Sequence, residues 1–258
     1  MPYFIRVSSQ KGGVGKTTIA VNLAVALQLK GYKTLLCDAD TVNPTIAFHL
    51  GFEDANIGMK QVMLGKTTLQ EARVVHAPTG LHIIPGVLGE REYVVTTQMM
   101  NNIANKIKKT DYDFVIVDTS PGYSVEKMEN YYNEALLIST PDMSSIANAI
   151  RLASWSDKAH LKHNLVINKV MNRRYELHHK EMEQMYENRI ISTFQYDEYV
   201  MLSTAESIPA CLYKKEAKFS RAINDLADMY AAKSGIVRTT DSNHGIFSWF
   251  SSKLRRRM

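Results

Sequence analysis

Cysteine is scarce in this chain. Cys37 and Cys211 are the only two among 258 residues, too few for a disulfide framework and too far apart for a Cys-x-x-Cys pair. A cytosolic, thiol-reduced protein is the economical expectation. Long apolar runs are missing as well: nothing reaches the roughly 18 consecutive apolar residues that a membrane-spanning helix needs. The first residues lack the basic, apolar and small-residue order of a secretion signal and enter a strand-like run directly. No internal repeat and no low-complexity block interrupts the body. Metal-ligand spacing is also lacking. His160 and His163 lie three apart at an expected helix end and His178-His179 are adjacent, without companion cysteines or carboxylates, so surface histidines are expected.

An excess of charge is missing from the body too. The net charge of +5 and pI near 9.0 suggest a nucleic-acid partner at first sight. Four of those five charges belong to Lys253, Arg255, Arg256 and Arg257. What precedes them is close to neutral. The thirteen methionines are spread along the chain, as core fillers are. Tyr131-Tyr132 reads as a packed or half-exposed helical segment.

What the chain does have is a glycine-rich loop in a telling place. Residues 9–18 read Ser-Gln-Lys-Gly-Gly-Val-Gly-Lys-Thr-Thr. An apolar run, Tyr3 to Val7, precedes them. A helical pattern through Val21, Leu23, Ala24, Leu27 and Leu29 follows. Strand, glycine loop, helix is the context of a phosphate-binding loop. Gly12, Gly13 and Gly15 let backbone N–H groups converge on phosphate oxygens, and the helix points its positive end at the same anion. Lys16 is placed to reach the β- and γ-phosphates, and the Thr17 hydroxyl to complete a Mg²⁺ shell.

Short apolar runs alternate with helical patterns throughout. The reading is an α/β, doubly wound, mostly parallel sheet with helices on both faces. Strands are expected at Tyr3–Val7, Thr34–Cys37, Leu81–Ile84, Phe114–Val117, Ala135–Ile138, Leu165–Ile167 and Ile190–Phe194. Helices are expected at Thr17–Lys30, Thr97–Lys109, Ser144–Lys158, Glu176–Asn188 and Lys215–Ala232. The length suits one domain, taken as 1–232. Polar, turn-rich residues 233–245 read as a flexible linker, and 246–258 as a separate C-terminal segment.

Ligands of such sheets sit at the carboxyl ends of strands. Three of those ends carry acids or amides: Leu-Leu-Cys-Asp38-Ala-Asp40, Phe-Val-Ile-Val-Asp118 and Leu-Val-Ile-Asn168. Aspartates and asparagines after strands also form turns and caps, so the residues alone leave both roles open.

Lys11 is one lysine more than phosphate binding requires. With Gln10 where the first glycine ordinarily stands, the loop resembles the deviant Walker loop of the MinD/ParA family of dimerising ATPases. The resemblance covers about residues 3–232, although only the loop is specific by itself. It implies a P-loop NTPase fold, Mg²⁺-dependent ATP hydrolysis, and a homodimer in which Lys11 reaches the partner's ATP. Lys11, Gly12, Gly13, Val14, Gly15, Lys16, Thr17 and Thr18 would hold the nucleotide, and Asn168 would meet the adenine. Asp40, with Lys11 and Lys16, would be catalytic; Thr17, Asp38 and Asp118 would lie on the metal side. The absence of Cys-x-x-Cys speaks against the iron–sulfur carriers and tail-anchor-targeting proteins that share this loop. The stretch after Asp40 lacks the glycine often found in bacterial MinD.

The C-terminal segment is a second signal. On a wheel of about 100° per residue, Ile246, Phe247, Trp249, Phe250, Leu254 and Met258 fall within about a half-circle. Ser248, Ser251, Ser252, Arg255 and Arg256 lie opposite, while Lys253 and Arg257 stray to the apolar side, where their stems can snorkel. This pattern predicts an interfacial helix on an anionic membrane, with a terminal helix docked on its own domain as the alternative. Together these readings predict a MinD-like positioning ATPase, peripheral on the cytoplasmic membrane face, with an activator or effector protein. A ParA-type DNA segregation ATPase is the alternative; the near-neutral body makes DNA the less suitable partner.

Overall fold

The computed structural model describes residues 1–40, 43–52, 57–87, 96–121, 131–187 and 190–236. Their centre is one sheet. Its strands are β1 (Tyr3–Ser8), β2 (Thr34–Ala39), β3 (Val74–His76), β4 (Leu81–Ile84), β5 (Phe114–Thr119), β6 (Glu134–Ser139), β7 (His163–Val170) and β8 (Ile190–Gln195). They run in the order β3-β4-β2-β5-β1-β6-β7-β8. All pairings are parallel except β3 with β4.

Parallel strands covered on both faces need apolar side chains on both, which is why these runs are nearly continuous in hydrophobicity. The period of two still sorts them. Phe4, Val115, Val117, Leu137 and Ile167 join one core, while Ile5, Val7, Ile116, Leu136 and Val166 join the other. The second core is closed by α1 (Lys16–Leu29) and α10 (Lys218–Ser234), through Leu23, Leu27, Ile223 and Tyr230. The first is closed by α5 (Thr97–Ile107) and α6 (Met143–Lys158), through Ile103, Ile107, Ile146 and Leu152. Smaller helices complete the layers: α2 (Ile46–Leu50), α3 (Met59–Met63), α4 (Leu69–Ala72), α7 (His179–Tyr186), α8 (Glu198–Ala205) and α9 (Ala210–Tyr213). Among the described residues no helix is long and apolar enough to cross a membrane.

Several expectations need correction. The linker does not begin at 233. Helix α10 runs through Ser234, and Gly235 (φ 68°) ends it in the left-handed conformation that glycine tolerates. Its last turn is anchored: Glu134, fully buried at the start of β6, accepts from Tyr230 Oη at 2.9 Å and from Lys233 and Asn164. The remaining linker residues and the whole of 246–258, including Ile246, Phe247, Trp249, Phe250, Lys253, Leu254 and Arg255 to Arg257, lie outside the described residues.

Tyr131 and Tyr132 are not helical. They precede β6 and are buried, with the Arg6 guanidinium 5.9 Å from the Tyr132 ring centre. His163 is no surface histidine: its ring lies between Tyr186 Oη (2.6 Å) and Asp157 (3.0 Å), with only 6% of the side chain exposed. Met143, Met171 and Met201 are exposed rather than core fillers. Both cysteines are free and buried, and burial pushes each thiol up to about 12.

Candidate functional site

Three strand ends and one helix start meet at a cavity of about 440 Å³ above the carboxyl edge of the sheet. The loop between β1 and α1 forms its floor. Gly13 (φ 75°) and Gly15 (φ 94°) take left-handed backbone conformations that turn the chain into the helix. At Gly15 a side chain is also sterically barred, because a Cβ there would stand 2.2 Å from Asn168 Nδ2. The end of β7 thus presses on the loop. Asn168 Nδ2 donates to the Val14 carbonyl at 2.8 Å, and Lys169 Nζ donates to the Gly13 carbonyl at 2.7 Å.

Behind the loop lies a buried charge cluster. Parallel register sets Asp38 on β2 directly beside Asp118 on β5. Lys16 Nζ, itself buried, stands 3.2 Å from Asp118 Oδ1 and 3.9 Å from Asp40 Oδ2. Thr17 Oγ1 donates to Asp118 Oδ2 at 2.6 Å. Burial and the neighbouring Asp118 push the Asp38 carboxyl up to about 8, although backbone N–H groups of Asp40 and Ile46 donate to it. Burial also raises Asp118, opposed by Lys16 and Thr17. Asp40 is held differently: Ser120 Oγ at 2.9 Å and the Asn43 N–H at 3.0 Å both donate to Oδ1.

Two carboxylates beside one lysine, with the raised Asp38 carboxyl next to Asp118, are short of positive charge, which suits a divalent cation arriving with an anionic ligand. Among the described residues no three His, Cys, Asp or Glu side chains form a metal site by themselves. Mg²⁺ takes one or two carboxylates and completes its shell with phosphate and water. Thr17, Asp38 and Asp118 are the residues that could serve it.

Lys11 lies apart from this cluster. It sits on the outer rim, with 44% of its side chain exposed, and its Nζ meets Asp142 at 3.1 and 3.2 Å. Asp142 also accepts from Thr140 Oγ1 at 2.6 Å and caps α6 by accepting the Ser145 N–H at 3.0 Å. A second depression beside Lys11 is lined by Pro141, Met171 and Tyr175.

A family model described as an AAA domain matches residues 3–140, just over half of the chain. An ATP-binding protein of Methanocaldococcus jannaschii is 28% identical over 231 residues, covering 88% of this chain and 87% of its own. The septum site-determining protein MinD of Escherichia coli is 29% identical over 167 residues, 62% of each chain. Among solved structures, MinD of Pyrococcus horikoshii, complexed with Mg-ADP, superposes with a TM-score of 0.83 at 26% identity, covering 91% of this chain and 98% of its own. The chain belongs to the MinD/ParA family of ATPases.

Of the expected loop residues, the Val14 side chain is buried in the second core, whereas Lys11, Gly12, Gly13, Gly15, Lys16, Thr17 and Thr18 line one cavity with Asp40 and Asn168. Asp38 and Asp118 lie behind it, bonded to the loop helix or to its neighbours. Asn168 braces the loop through the same amide that was expected to meet adenine. Sequence reasoning overlooked Ser120, Asn43, Asp142 and Lys169. Ser120 follows Asp118 by two residues, and Asp142 opens a helix with a capping pattern; these were the available signals.

Proposed function

We propose that this chain is a MinD-like ATPase that binds ATP with Mg²⁺ and pairs with a second copy across its nucleotide face. The pair attaches to an anionic membrane surface through residues 246–258 and leaves on hydrolysis, positioning division, polar or motility machinery. The cytoplasmic face of the membrane is its place of work.

The observation that carries this reading is the contrast between the two loop lysines. Lys16 is buried among the acids, as a lysine serving phosphates in its own subunit must be. Lys11 is on the rim, beside exposed Met171 and Tyr175. Apolar side chains clustered around a surface cation at the mouth of a phosphate site suit burial against another subunit. Lys11 of each copy would then contact the other's triphosphate.

Chemical roles follow from the geometry. The loop N–H groups and Lys16 receive the β- and γ-phosphates, so Lys16 must exchange Asp118 for phosphate oxygens. Thr17, with Asp38 and Asp118 through water, would hold the metal ion, which when bound neutralises phosphate charge and fixes its orientation. Asp40, oriented by Ser120 and Asn43 and lying beside Lys16, would orient a water and accept its proton. An effector protein would bind the paired form or accelerate its turnover.

The test is sedimentation with anionic vesicles and, separately, with DNA, each in ATP and in ADP. ATP-dependent recovery with vesicles, lost on deleting 246–258 while basal turnover persists, is expected. Recovery with DNA alone would make this a segregation ATPase, and vesicle binding by the truncated chain would remove the tail from its role.

A further inference from the structure

A second cavity lies far from the nucleotide site and takes no part in it. It is a groove of about 660 Å³ between α4, the end of α5 and β4. Its floor is apolar: Leu35 and Ile84 are buried and Leu69 half-buried. Its rim carries Arg73, Lys106 and Lys109 against one carboxylate, Asp111. That carboxylate is already paired with Lys33, whose bond and charge hold it below the ordinary range. Between the cations His82 Nδ1 and Tyr112 Oη share a hydrogen bond of 2.7 Å. Burial, then the Arg73 charge, holds the His82 imidazole down, so the ring is neutral at neutral pH. The groove's positive charge therefore comes from the arginine and the two lysines.

Lysines at the end of α5 also complement its helix dipole. That accounts for neither Arg73, which arrives from the segment after α4, nor the apolar floor that the three cations border. Thr68 and Thr110 also line the groove, but their hydroxyls donate to the Glu71 carboxylate and the Ile107 carbonyl. An arginine fork and two ammonium groups around apolar side chains make a receptor for a phosphate attached to an apolar body.

The groove's position selects the source of that phosphate. Tyr32 Oη donates to the carbonyl of Ile236, where the chain leaves the described fold. The next residue, Lys33, donates its N–H to Asp113 and its ammonium to Asp111 on the groove's rim. Groove and chain exit thus share the amino-terminal edge of the sheet, the groove on the face of α5 and the exit on that of α10. The chain's own tail is a poor occupant, since Lys253 and Arg255 to Arg257 would face three cations.

From this placement we propose that the groove binds the phosphate-bearing headgroup of an anionic phospholipid, giving the folded domain its own membrane contact beside the tail. The proposal rests on the membrane attachment put forward above. Its test uses the full chain with Arg73→Gln, Lys106→Gln and Lys109→Gln combined. None of these residues belongs to the nucleotide site, so ATP turnover should match the wild type and report folding.

Sedimentation is compared on vesicles of phosphatidylcholine with increasing phosphatidylglycerol, in ATP. The triple variant should bind anionic vesicles roughly a hundredfold more weakly at low salt, narrowing towards tenfold as salt rises. Binding equal to wild type would overturn the groove proposal and leave the tail untouched. Failure of the wild type itself on every vesicle would instead overturn the membrane reading. A parallel titration with inorganic phosphate, read by NMR shifts of His82, separates the sources. Saturation by free phosphate with vesicle attachment unchanged in the triple variant would assign the groove to a soluble anion and overturn the lipid.

Discussion

Replacing Gly15 by alanine would set a methyl carbon 2.2 Å from Asn168 Nδ2 at a backbone φ of 94°. Two separate costs follow. The left-handed conformation disfavours an L-residue by about 1–2 kcal/mol. Pushing Asn168 aside breaks its 2.8 Å bond to the Val14 carbonyl and strands a buried amide, at about 1–3 kcal/mol. The sum, about 2–5 kcal/mol, falls on the loop that receives phosphate, so ATP affinity should drop roughly 30-fold to several thousandfold. Calorimetric titration with a non-hydrolysable ATP analogue reads this, with thermal melting to confirm an intact fold. Combining Gly15→Ala with Asn168→Ala separates the costs. The second substitution removes the clash but not the strained φ, so the pair should lose less than the two single losses added together. Wild-type affinity in Gly15→Ala, or strict additivity in the double variant, would refute the contact between the end of β7 and the loop.

Other expectations address the chemistry and the restraints around it. Asp40→Ala should keep ATP binding and lose about 10²–10⁴ in single-turnover rate, the usual contribution of a positioned base; wild-type turnover would deny it that part. Asp142→Asn keeps an oxygen for the Ser145 N–H but releases Lys11 from its ion pair. An exposed pair is worth about 0.2–1 kcal/mol, and a dimer has two, so ATP-dependent dimerisation should tighten about 2- to 30-fold in sedimentation velocity. Unchanged or weaker association would show that Asp142 does not restrain the lysine. His49 lines the nucleotide cavity, and burial lowers its imidazole from 6.5 to about 4. As pH falls the unfolded chain takes up the proton first, so stability present above pH 6.5 is lost on the way to pH 4. The loss should reach about 2 kcal/mol at pH 5. The raised Asp38 carboxyl works in the opposite direction over this range, but equally in both proteins; the wild type should therefore lose about 2 kcal/mol relative to His49→Gln between pH 7 and pH 5, read from urea midpoints.

The parts of the fold legible in the sequence were those with a sustained pattern. Continuous apolar runs placed all seven expected strands, and the Asp38–Asp118 pairing follows from parallel register once β2 and β5 are neighbours. The edge strand β3 escaped because it has three residues, one of them, Val75, 46% exposed. Its hairpin turn ends in Gly80 (φ 71°), and that turn was the clearer signal. Helices of four to eight residues, such as α2, α4 and α9, span too few turns for a period to show. Helix α7 starts at His179 rather than Glu176 because the Glu176 carboxylate accepts the N–H groups of Met171 and Arg173, making a turn instead. At the site, residues of the loop motif were readable one by one. Ser120, Asn43 and Lys169 were not, because each acts only through convergence of segments distant in the chain.

The geometry also constrains how nucleotide could govern a membrane tail. Asp38 and Asp40 lie at or just beyond the carboxyl end of β2, whereas Tyr32, which holds the carbonyl of Ile236, lies just before its amino end. Asp38 is six residues from Tyr32 and Asp40 eight, about 20–26 Å at about 3.3 Å per residue. The nucleotide site therefore lies a strand's length from Ile236, the last described residue. The intervening sheet is buried on both faces, so a local shift at the phosphates has no loose segment there through which to pass. Pairing of two copies across the nucleotide face needs no such relay. In the proposed pair two tails would be linked, and linking two weak attachments can raise overall binding by roughly 10²–10⁴ without any new contact. On that argument the extra lysine, exposed on the rim and parked on Asp142, is where nucleotide occupancy would become membrane residence.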